Sequence, residues 1–163
     1  MTTIRLTNIG IKQLTELDKS VPVVSIRDKY SSQATIPNID KRKVAYLCFS
    51  AIDHLSYTEG HLISKEDVKS VINLIKKAAE ENKEKIYFQC TEGRIRSYTL
   101  ANAFYEISCF SDEGILELTG IRLEYCNKDS ALKAGIIDKG TYNRIHEIID
   151  ELNKEYQESQ THE

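Results

Sequence analysis

The residues best suited to chemistry lie between an apolar run and a helical pattern, in Lys85-Ile-Tyr-Phe-Gln-Cys-Thr-Glu-Gly-Arg-Ile-Arg-Ser97. Five residues separate Cys90 from Arg96. A loop of that length lets backbone N–H groups converge on one point, and the following helix directs the positive end of its dipole there. The same positive field favours the thiolate, which is the nucleophilic form of cysteine. The spacing therefore predicts a phosphate-binding loop that contains its own nucleophile.

Other residues of the stretch suit the same loop. Gly93 fits the sharpest turn because it has no Cβ, and Ser97 is predicted to donate its hydroxyl hydrogen bond to the sulfur. The candidate phosphate-binding residues are Thr91, Glu92, Gly93, Arg94, Ile95 and Arg96. The alternative is a buried cysteine that ends a core strand before an ordinary helix. Two arginines at a buried turn argue against that alternative, since they need an anion to pair with.

The stretch resembles the active-site signature His-Cys-x-x-Gly-x-x-Arg-Ser/Thr of the cysteine-dependent protein-tyrosine and dual-specificity phosphatase superfamily. Cys90, Gly93, Arg96 and Ser97 match this signature, and Gln89 replaces the histidine. Val23-Val-Ser-Ile-Arg-Asp28 and Tyr142-Asn-Arg-Ile-His146 are similar to segments of small bacterial and phage-type members. The resemblance covers residues 20–150, and only the loop is specific.

The resemblance implies a phosphomonoester hydrolase with a phosphocysteine intermediate on Cys90. Loop amides and the Arg96 guanidinium would stabilise the transition state. In this superfamily an aspartate on a mobile loop is the general acid, and Asp53 is the candidate because it follows a strand expected beside that of Cys90. A solvated loop carboxylate is the alternative for Asp53, and His54 or Glu59 could take its role.

Gln89 can donate and accept hydrogen bonds but cannot carry charge. A second interpretation is therefore a catalytically weak relative that binds a phosphorylated ligand or protein without turning it over. A third, more remote interpretation uses the thiol for redox or arsenate chemistry. No cofactor and no metal are expected, and the expected partner is a phosphorylated substrate, either a protein or a small phosphomonoester.

Length and charge limit the other functional classes. The 163 residues carry a net charge of −3, so no global basic field attracts nucleic acid, and no apolar run suggests a membrane span. Four sparse cysteines suit a reducing, cytoplasmic setting. We expect one phosphatase-like domain over residues 1–157 and a polar tail over 158–163. The oligomeric state stays open.

Periodicity predicts the elements that position the loop. Apolar runs predict strands at 21–26, 44–49 and 86–89, with loops over Arg27–Arg42 and Ala51–Ile63. A capping box, Ser64-Lys-Glu-Asp67, begins a helix to about Asn82. Further helices are expected over Arg96–Phe110 and Thr141–Gln157, with one or two others between them. This alternation indicates an α/β fold whose small, mostly parallel central sheet has helices on both faces, as in dual-specificity phosphatases.

Overall fold

A five-stranded parallel sheet lies at the centre of the computed structural model, which describes residues 2–28, 33–37, 39, 42–52, 61–91, 94–110, 114–126 and 135–161. Its strands are β1 (Thr2–Gly10), β2 (Val23–Arg27), β3 (Val44–Cys48), β4 (Lys85–Cys90) and β5 (Ile121–Tyr125). They lie in the order β3-β2-β4-β1-β5, and neighbours pair in parallel throughout. The strands predicted at 21–26, 44–49 and 86–89 are confirmed as β2, β3 and β4.

Strands β1 and β5 are absent from the sequence prediction. In β1 the polar residues Thr7 and Asn8 are buried, which interrupts the apolar run that marks a central strand. Tertiary hydrogen bonds satisfy them, because the Thr7 hydroxyl donates to the Cys126 carbonyl and Asn8 Oδ1 accepts from the Tyr125 hydroxyl. The expectation that only helices lie between the helix predicted over Arg96–Phe110 and the last helix is wrong for Ile121–Tyr125.

The helices of the described ranges are α1 (Ile11–Leu14), α2 (Lys65–Glu80), α3 (Arg96–Phe110) and α4 (Lys139–Thr161), with a 3₁₀ turn at Leu116–Leu118. The predicted capping box begins α2. The Asp67 N–H donates to Ser64 Oγ at 3.1 Å, and the Ser64 N–H donates to Asp67 Oδ2 at 3.0 Å. Helix α4 extends past its expected end at Gln157 into the segment expected as a polar tail. None of these helices has the length and apolar character that a membrane crossing requires.

Each face of the sheet carries its own apolar cluster, because successive side chains of a strand point to opposite faces. On one face, Leu6, Val24 and Phe88 belong to a cluster with buried residues of α2, α3 and α4. On the other face, Ile9, Val23 and Tyr87 pack with Leu14 of α1 and with Ile36. The predicted α/β class is confirmed. The described helices are distributed unevenly, with the three long ones on one face and the four-residue α1 on the other.

The parallel direction of the strands gives the sheet two distinct edges. All strands end at one of them, here called the carboxyl edge, and begin at the other, the amino edge. At the carboxyl edge, Gly10 of β1 is the register partner of Cys90 of β4. The N–H of Ile11, the first residue of α1, donates to the Thr91 carbonyl at 3.2 Å. The backbone of the candidate loop is therefore tied to β1 and α1 at its first residue.

Candidate active site at the carboxyl edge

Cys90 is the last residue of β4 and is only 3% exposed. It faces the larger apolar cluster, beneath the first turn of α3. Its Sγ lies 3.2 Å from Oγ of Ser97, the second residue of α3, which is fully buried. A thiol at this position donates to the serine oxygen, whereas a thiolate would accept from the serine hydroxyl. The structure thus brings together the two residues that the sequence pairs.

The loop after Cys90 leads directly into the N-terminus of α3. Thr91 and Arg94 are exposed and Ile95 is half-buried, while Glu92 and Gly93 lie outside the described residues. The helical hydrogen bonds begin with the Thr99 N–H, which donates to the Ile95 carbonyl at 2.7 Å. The first amides of α3 therefore have no acceptor within the helix, and its positive dipole end lies where the loop closes.

The two arginines of the loop differ in their surroundings. Arg94 is exposed, whereas Arg96, the first residue of α3, is half-buried. Nη1 of Arg96 is shielded from solvent and has no hydrogen-bond partner among the described residues. A buried cationic donor without an acceptor is costly, and an anion in the loop would supply one. The sequence argument placed both arginines at a buried turn, and this is wrong for Arg94, which is exposed. The phosphate-binding roles of Arg94 and Arg96 stay predictions.

The segment at 135–138, before α4, packs directly on the loop. The Ile136 N–H donates to the Arg94 carbonyl at 2.8 Å. A Cβ at Gly135 would lie 2.3 Å from that same carbonyl oxygen and 2.5 Å from Cγ of Tyr98. The Asp138 N–H donates to the Thr99 hydroxyl oxygen at 2.9 Å. Sequence reasoning missed this segment, since no motif marks it and its contacts are all distant in the chain.

Tyr98 of α3 connects this segment to the end of β5. Its ring meets the ring of Tyr125 edge-on, with centroids 5.9 Å apart and planes at 86°. Burial, with a smaller contribution from the neighbouring Tyr98, raises the pKa of Tyr125 to about 12. The Tyr125 hydroxyl therefore keeps its proton at neutral pH and serves as the hydrogen-bond donor to Asn8.

Gln89, the residue that replaces the signature histidine, is buried beside β2. Its Oε1 accepts a hydrogen bond from Ser25 Oγ at 2.6 Å, and both side chains are buried. Ser25 and Gln89 are register partners in the sheet. Because neighbouring strand residues face opposite ways, the Gln89 side chain lies on the face away from Cys90. The Gln89 side chain and the Cys90 sulfur are therefore on opposite faces of the sheet, connected by the backbone.

Asp53, the predicted general acid, lies outside the described residues, as do His54 and Glu59. The chain on either side of 53–60 is held at the carboxyl edge. The Ser50 N–H donates to the His61 carbonyl at 2.7 Å, and the Ile52 N–H donates to the Thr141 hydroxyl oxygen at 3.2 Å. Thr141 is in the first turn of α4. The strand that precedes Asp53 is β3, and the expectation that it lies beside the strand of Cys90 is wrong, because β2 lies between β3 and β4. The role of Asp53 stays a prediction.

Three of the four cysteines have described side chains, and all three are free thiols. No disulfide joins Cys48, Cys90 and Cys126, the cysteines whose side chains are described. Within the described ranges, no three or more His, Cys, Asp or Glu side chains are grouped in a way that suits a metal ion. The described groups at this site are the Cys90 thiol, the Ser97 hydroxyl and the Arg96 guanidinium at the N-terminus of α3.

Comparisons with known proteins add little to this geometry. No family model matches the chain, and no curated protein matches it. Seven chains of solved structures match. One belongs to the crystal structure of PTPMT1, which is 18% identical, with 94% of this chain and 95% of that chain covered and a TM-score of 0.48. A likeness at that level supports no conclusion about this chain, and the proposals below depend on its own residues.

Proposed function

We propose that this protein is a phosphomonoester hydrolase of the protein-tyrosine and dual-specificity phosphatase type. The observation that carries the proposal is the arrangement at the start of α3. A buried cysteine ends a strand, its sulfur lies 3.2 Å from the Ser97 hydroxyl, and the next helix begins with Arg96, whose buried Nη1 has no described partner. A phosphoryl group in the loop would accept from that guanidinium and from the helix amides.

The reaction would proceed in two displacements. The Cys90 thiolate attacks phosphorus and forms the S–P bond while the bond from phosphorus to the leaving oxygen breaks, and the general acid protonates that oxygen. Water then attacks the phosphocysteine, passes a proton to the same carboxylate, and releases inorganic phosphate and the thiolate. Ser97 would stabilise the thiolate as a leaving group by donating its hydroxyl hydrogen bond. Asp53 is the proposed general acid.

Turnover of p-nitrophenyl phosphate by the wild type and by Cys90→Ser tests the nucleophile. We expect the serine variant to lose turnover and keep phosphate binding, since the loop amides and Arg96 are unchanged. Cys48→Ser is the matched control, because Cys48 also ends a parallel strand but no α-helix begins directly after it. Equal turnover by Cys90→Ser and the wild type would refute a phosphocysteine intermediate.

Arg96 and Arg94 provide a second, independent test. Lysine at position 96 keeps the charge but loses the planar fork that binds two phosphoryl oxygens. We expect Arg96→Lys to lower kcat/KM by about 10²–10³-fold, the range for loss of one preorganised transition-state donor. Arg94→Lys should cost little on a small aryl phosphate, since Arg94 is exposed. The opposite ranking would mean that the proposed loop register is wrong.

One observation favours a second candidate, a pseudophosphatase that binds a phosphorylated ligand or protein. The Gln89 amide accepts from Ser25 at 2.6 Å and cannot carry the charge of the signature histidine. Saturable binding of phosphate or vanadate without turnover of any phosphomonoester, in the wild type, would support this candidate over the enzyme. Restored turnover in Gln89→His would attribute the loss to this position.

A further inference from the structure

The amino edge of the sheet contains a cavity of about 400 Å³, at the opposite end of β4 from Cys90. It is lined where three strands begin, by Pro22 before β2, Lys43 before β3 and Lys83 before β4. We call it the amino-edge cavity. Strand β4 alone places roughly 17 Å between its first and last residues, at 3.3 Å for each residue. The cavity is therefore separate from the candidate active site.

The charged side chains that line the amino-edge cavity are mostly cationic. They are Arg42, Lys43 and Lys83, against the single carboxylate of Glu81, which leaves two positive charges. No ion pair joins any of these four residues to another described residue. Concave sites lined with one sign of charge raise the local concentration of the opposite ion. The Asp18 carboxylate, which does not line the cavity, also interacts electrostatically with Arg42 and Lys83. The cavity with its surroundings therefore carries a small positive excess, which suits an anionic ligand.

Arg42 differs from a solvated surface arginine. It is only 5% exposed. Its Nε donates to the Lys19 carbonyl at 2.9 Å, and its Nη2 donates to the Asp18 carbonyl at 2.8 Å. These two bonds fix the plane of the guanidinium. Nη1 is buried and has no hydrogen-bond partner in the described part of the chain. The fixed guanidinium therefore keeps its charge at the cavity with one donor that no described residue satisfies.

The nearest carboxylate does not supply that acceptor. Oδ1 of Asp18 accepts from the Ser20 N–H at 2.9 Å and from the Ser20 hydroxyl at 2.8 Å. These hydrogen bonds lower the pKa of Asp18 more than the charge of Arg42 does. The Asp18 carboxylate is thus occupied in its own turn, and it makes no ion pair with Arg42 among the described contacts.

We propose that the amino-edge cavity binds a phosphoryl group, free or carried by a small ligand, with Arg42 as the buried anchor and Lys43 and Lys83 at the rim. A phosphate monoester carries nearly two negative charges at neutral pH and presents three acceptor oxygens. Its charge would be attracted by the cationic lining, and its oxygens would accept hydrogen bonds from Arg42, Lys43 and Lys83. The cavity volume lies within the range of small-ligand sites and exceeds what phosphate alone requires. This site is independent of the proposed hydrolase activity.

The proposal is tested by a titration with inorganic phosphate at constant ionic strength, in which NMR follows the backbone amide signals. The titration uses Arg96→Lys, which weakens the loop at the other edge. We expect saturable shifts at Lys43, Val44 and Lys83. In Lys43→Ser/Lys83→Ser, added to the same background, the dissociation constant from these signals should rise about tenfold, as charge-assisted hydrogen bonds are lost.

The matched control is Lys69→Ser/Lys154→Ser, which removes two exposed helix lysines that do not line the cavity. It should leave the dissociation constant unchanged. The proposal is overturned if the shifts at 43, 44 and 83 do not saturate, or if both double variants weaken binding equally. Signals of Arg96 and Ser97 in the wild type report the loop separately. If phosphate shifts the amide signals at the amino edge but not those of Arg96 and Ser97, the result would count against the hydrolase proposal and support this site.

Arg42 itself is tested with Arg42→Lys, which keeps the charge but lacks the fork. Because the guanidinium also joins the 18–19 turn to β3, native dispersion of the amide spectrum is checked first. A folded Arg42→Lys protein that binds phosphate at the amino edge as tightly as its parent would overturn the anchoring role. If Arg42→Lys does not fold, the comparison of Lys43→Ser/Lys83→Ser with its control decides whether the cavity binds phosphate.

Discussion

Replacing Gly135 with alanine tests how tightly the segment before α4 holds the candidate loop. A Cβ built at this position lies 2.3 Å from the Arg94 carbonyl oxygen, 2.5 Å from Cγ of Tyr98 and 2.8 Å from its Cβ. Real Cβ atoms essentially never approach other heavy atoms within 3.0 Å. One of the obstructing atoms belongs to the loop backbone, so a rotamer change cannot relieve every contact. The variant must move the segment or the loop.

The magnitude follows from two opposing effects. Overfilling a packed site costs typically about 1–3 kcal/mol. Alanine also restricts the unfolded chain, which returns about 0.4–1 kcal/mol where its backbone conformation is acceptable. Gly135 does not require a left-handed φ, so this gain applies. We expect the free energy of unfolding to fall by about 1–2 kcal/mol. If the hydrolase proposal holds, kcat/KM should also fall, by roughly tenfold or more, because catalysis is sensitive to small displacements.

Urea titration measures the free energy of unfolding. A change in the midpoint at constant m-value indicates that the substitution changed stability. Gly120→Ala is the control. Gly120 has a φ of +88°, and a Cβ there meets no heavy atom within 4 Å. The free energy of unfolding of Gly120→Ala should fall by about 1–2 kcal/mol from backbone strain alone, and this variant should keep the activity of the wild type. A Gly135→Ala protein as stable and as active as the wild type would refute the close packing of this segment on the loop.

Three further predictions concern a helix cap, an alkaline transition and the general acid. Ser64→Ala removes the side-chain acceptor at the start of α2 and should lower the free energy of unfolding by about 1 kcal/mol in urea titrations, with a smaller loss for Ser64→Gly. Burial raises the pKa of Tyr125 to about 12. The folded state therefore retains a proton that the unfolded state loses above about 10. Stability should fall between these two pH values, with a shallower slope in Tyr125→Phe. Asp53→Asn should slow hydrolysis of alkyl phosphates by about 10²–10⁴-fold and that of p-nitrophenyl phosphate much less. Equal losses on both substrates would indicate that Asp53 shapes its loop.

Local sequence patterns predicted the helices and strands that are marked by residues within their own segment. Helix α3 was predicted over Arg96–Phe110, the range observed, and the Ser64 capping box marked the start of α2. Strands β2 and β4 appear as short apolar runs because residues on both of their faces are buried. Strand β3 is also an apolar run, although its Tyr46 is exposed. Strand β1 pairs with β4 and β5 on its two sides yet carries Arg5, Thr7 and Asn8. Its place depends on partners far along the chain, which a periodicity pattern cannot reveal.

The same distinction applies to the site. The spacing of Cys90, Arg96 and Ser97 was readable because one strand, one loop and one helix turn contain all three. The support from Gly135 and Ile136 was not readable, since it depends on where the chain returns after β5. Nor was the partner of Gln89, because the Ser25 hydroxyl reaches it only through the register of β2 with β4. Sequence spacing therefore predicted that Cys90 and Ser97 lie together beside the start of α3, and tertiary contacts supply what holds them.

The two arginines with unsatisfied buried nitrogens, Arg42 and Arg96, show why one fold can treat similar anions differently at its two edges. Each has an Nη1 shielded from solvent with no described acceptor. Around Arg96 the strand has just ended, so a thiol and a helix N-terminus adjoin the guanidinium. Around Arg42 the strands are beginning, the guanidinium is held by two carbonyls, and no cysteine is among the described residues that line the cavity. If both proposals hold, a phosphoryl group at the carboxyl edge would meet the Cys90 thiol, whereas one at the amino edge would meet the cations of the lining and the Glu81 carboxylate but no described thiol. The direction of the parallel strands would then separate phosphoryl transfer at one edge from retention at the other.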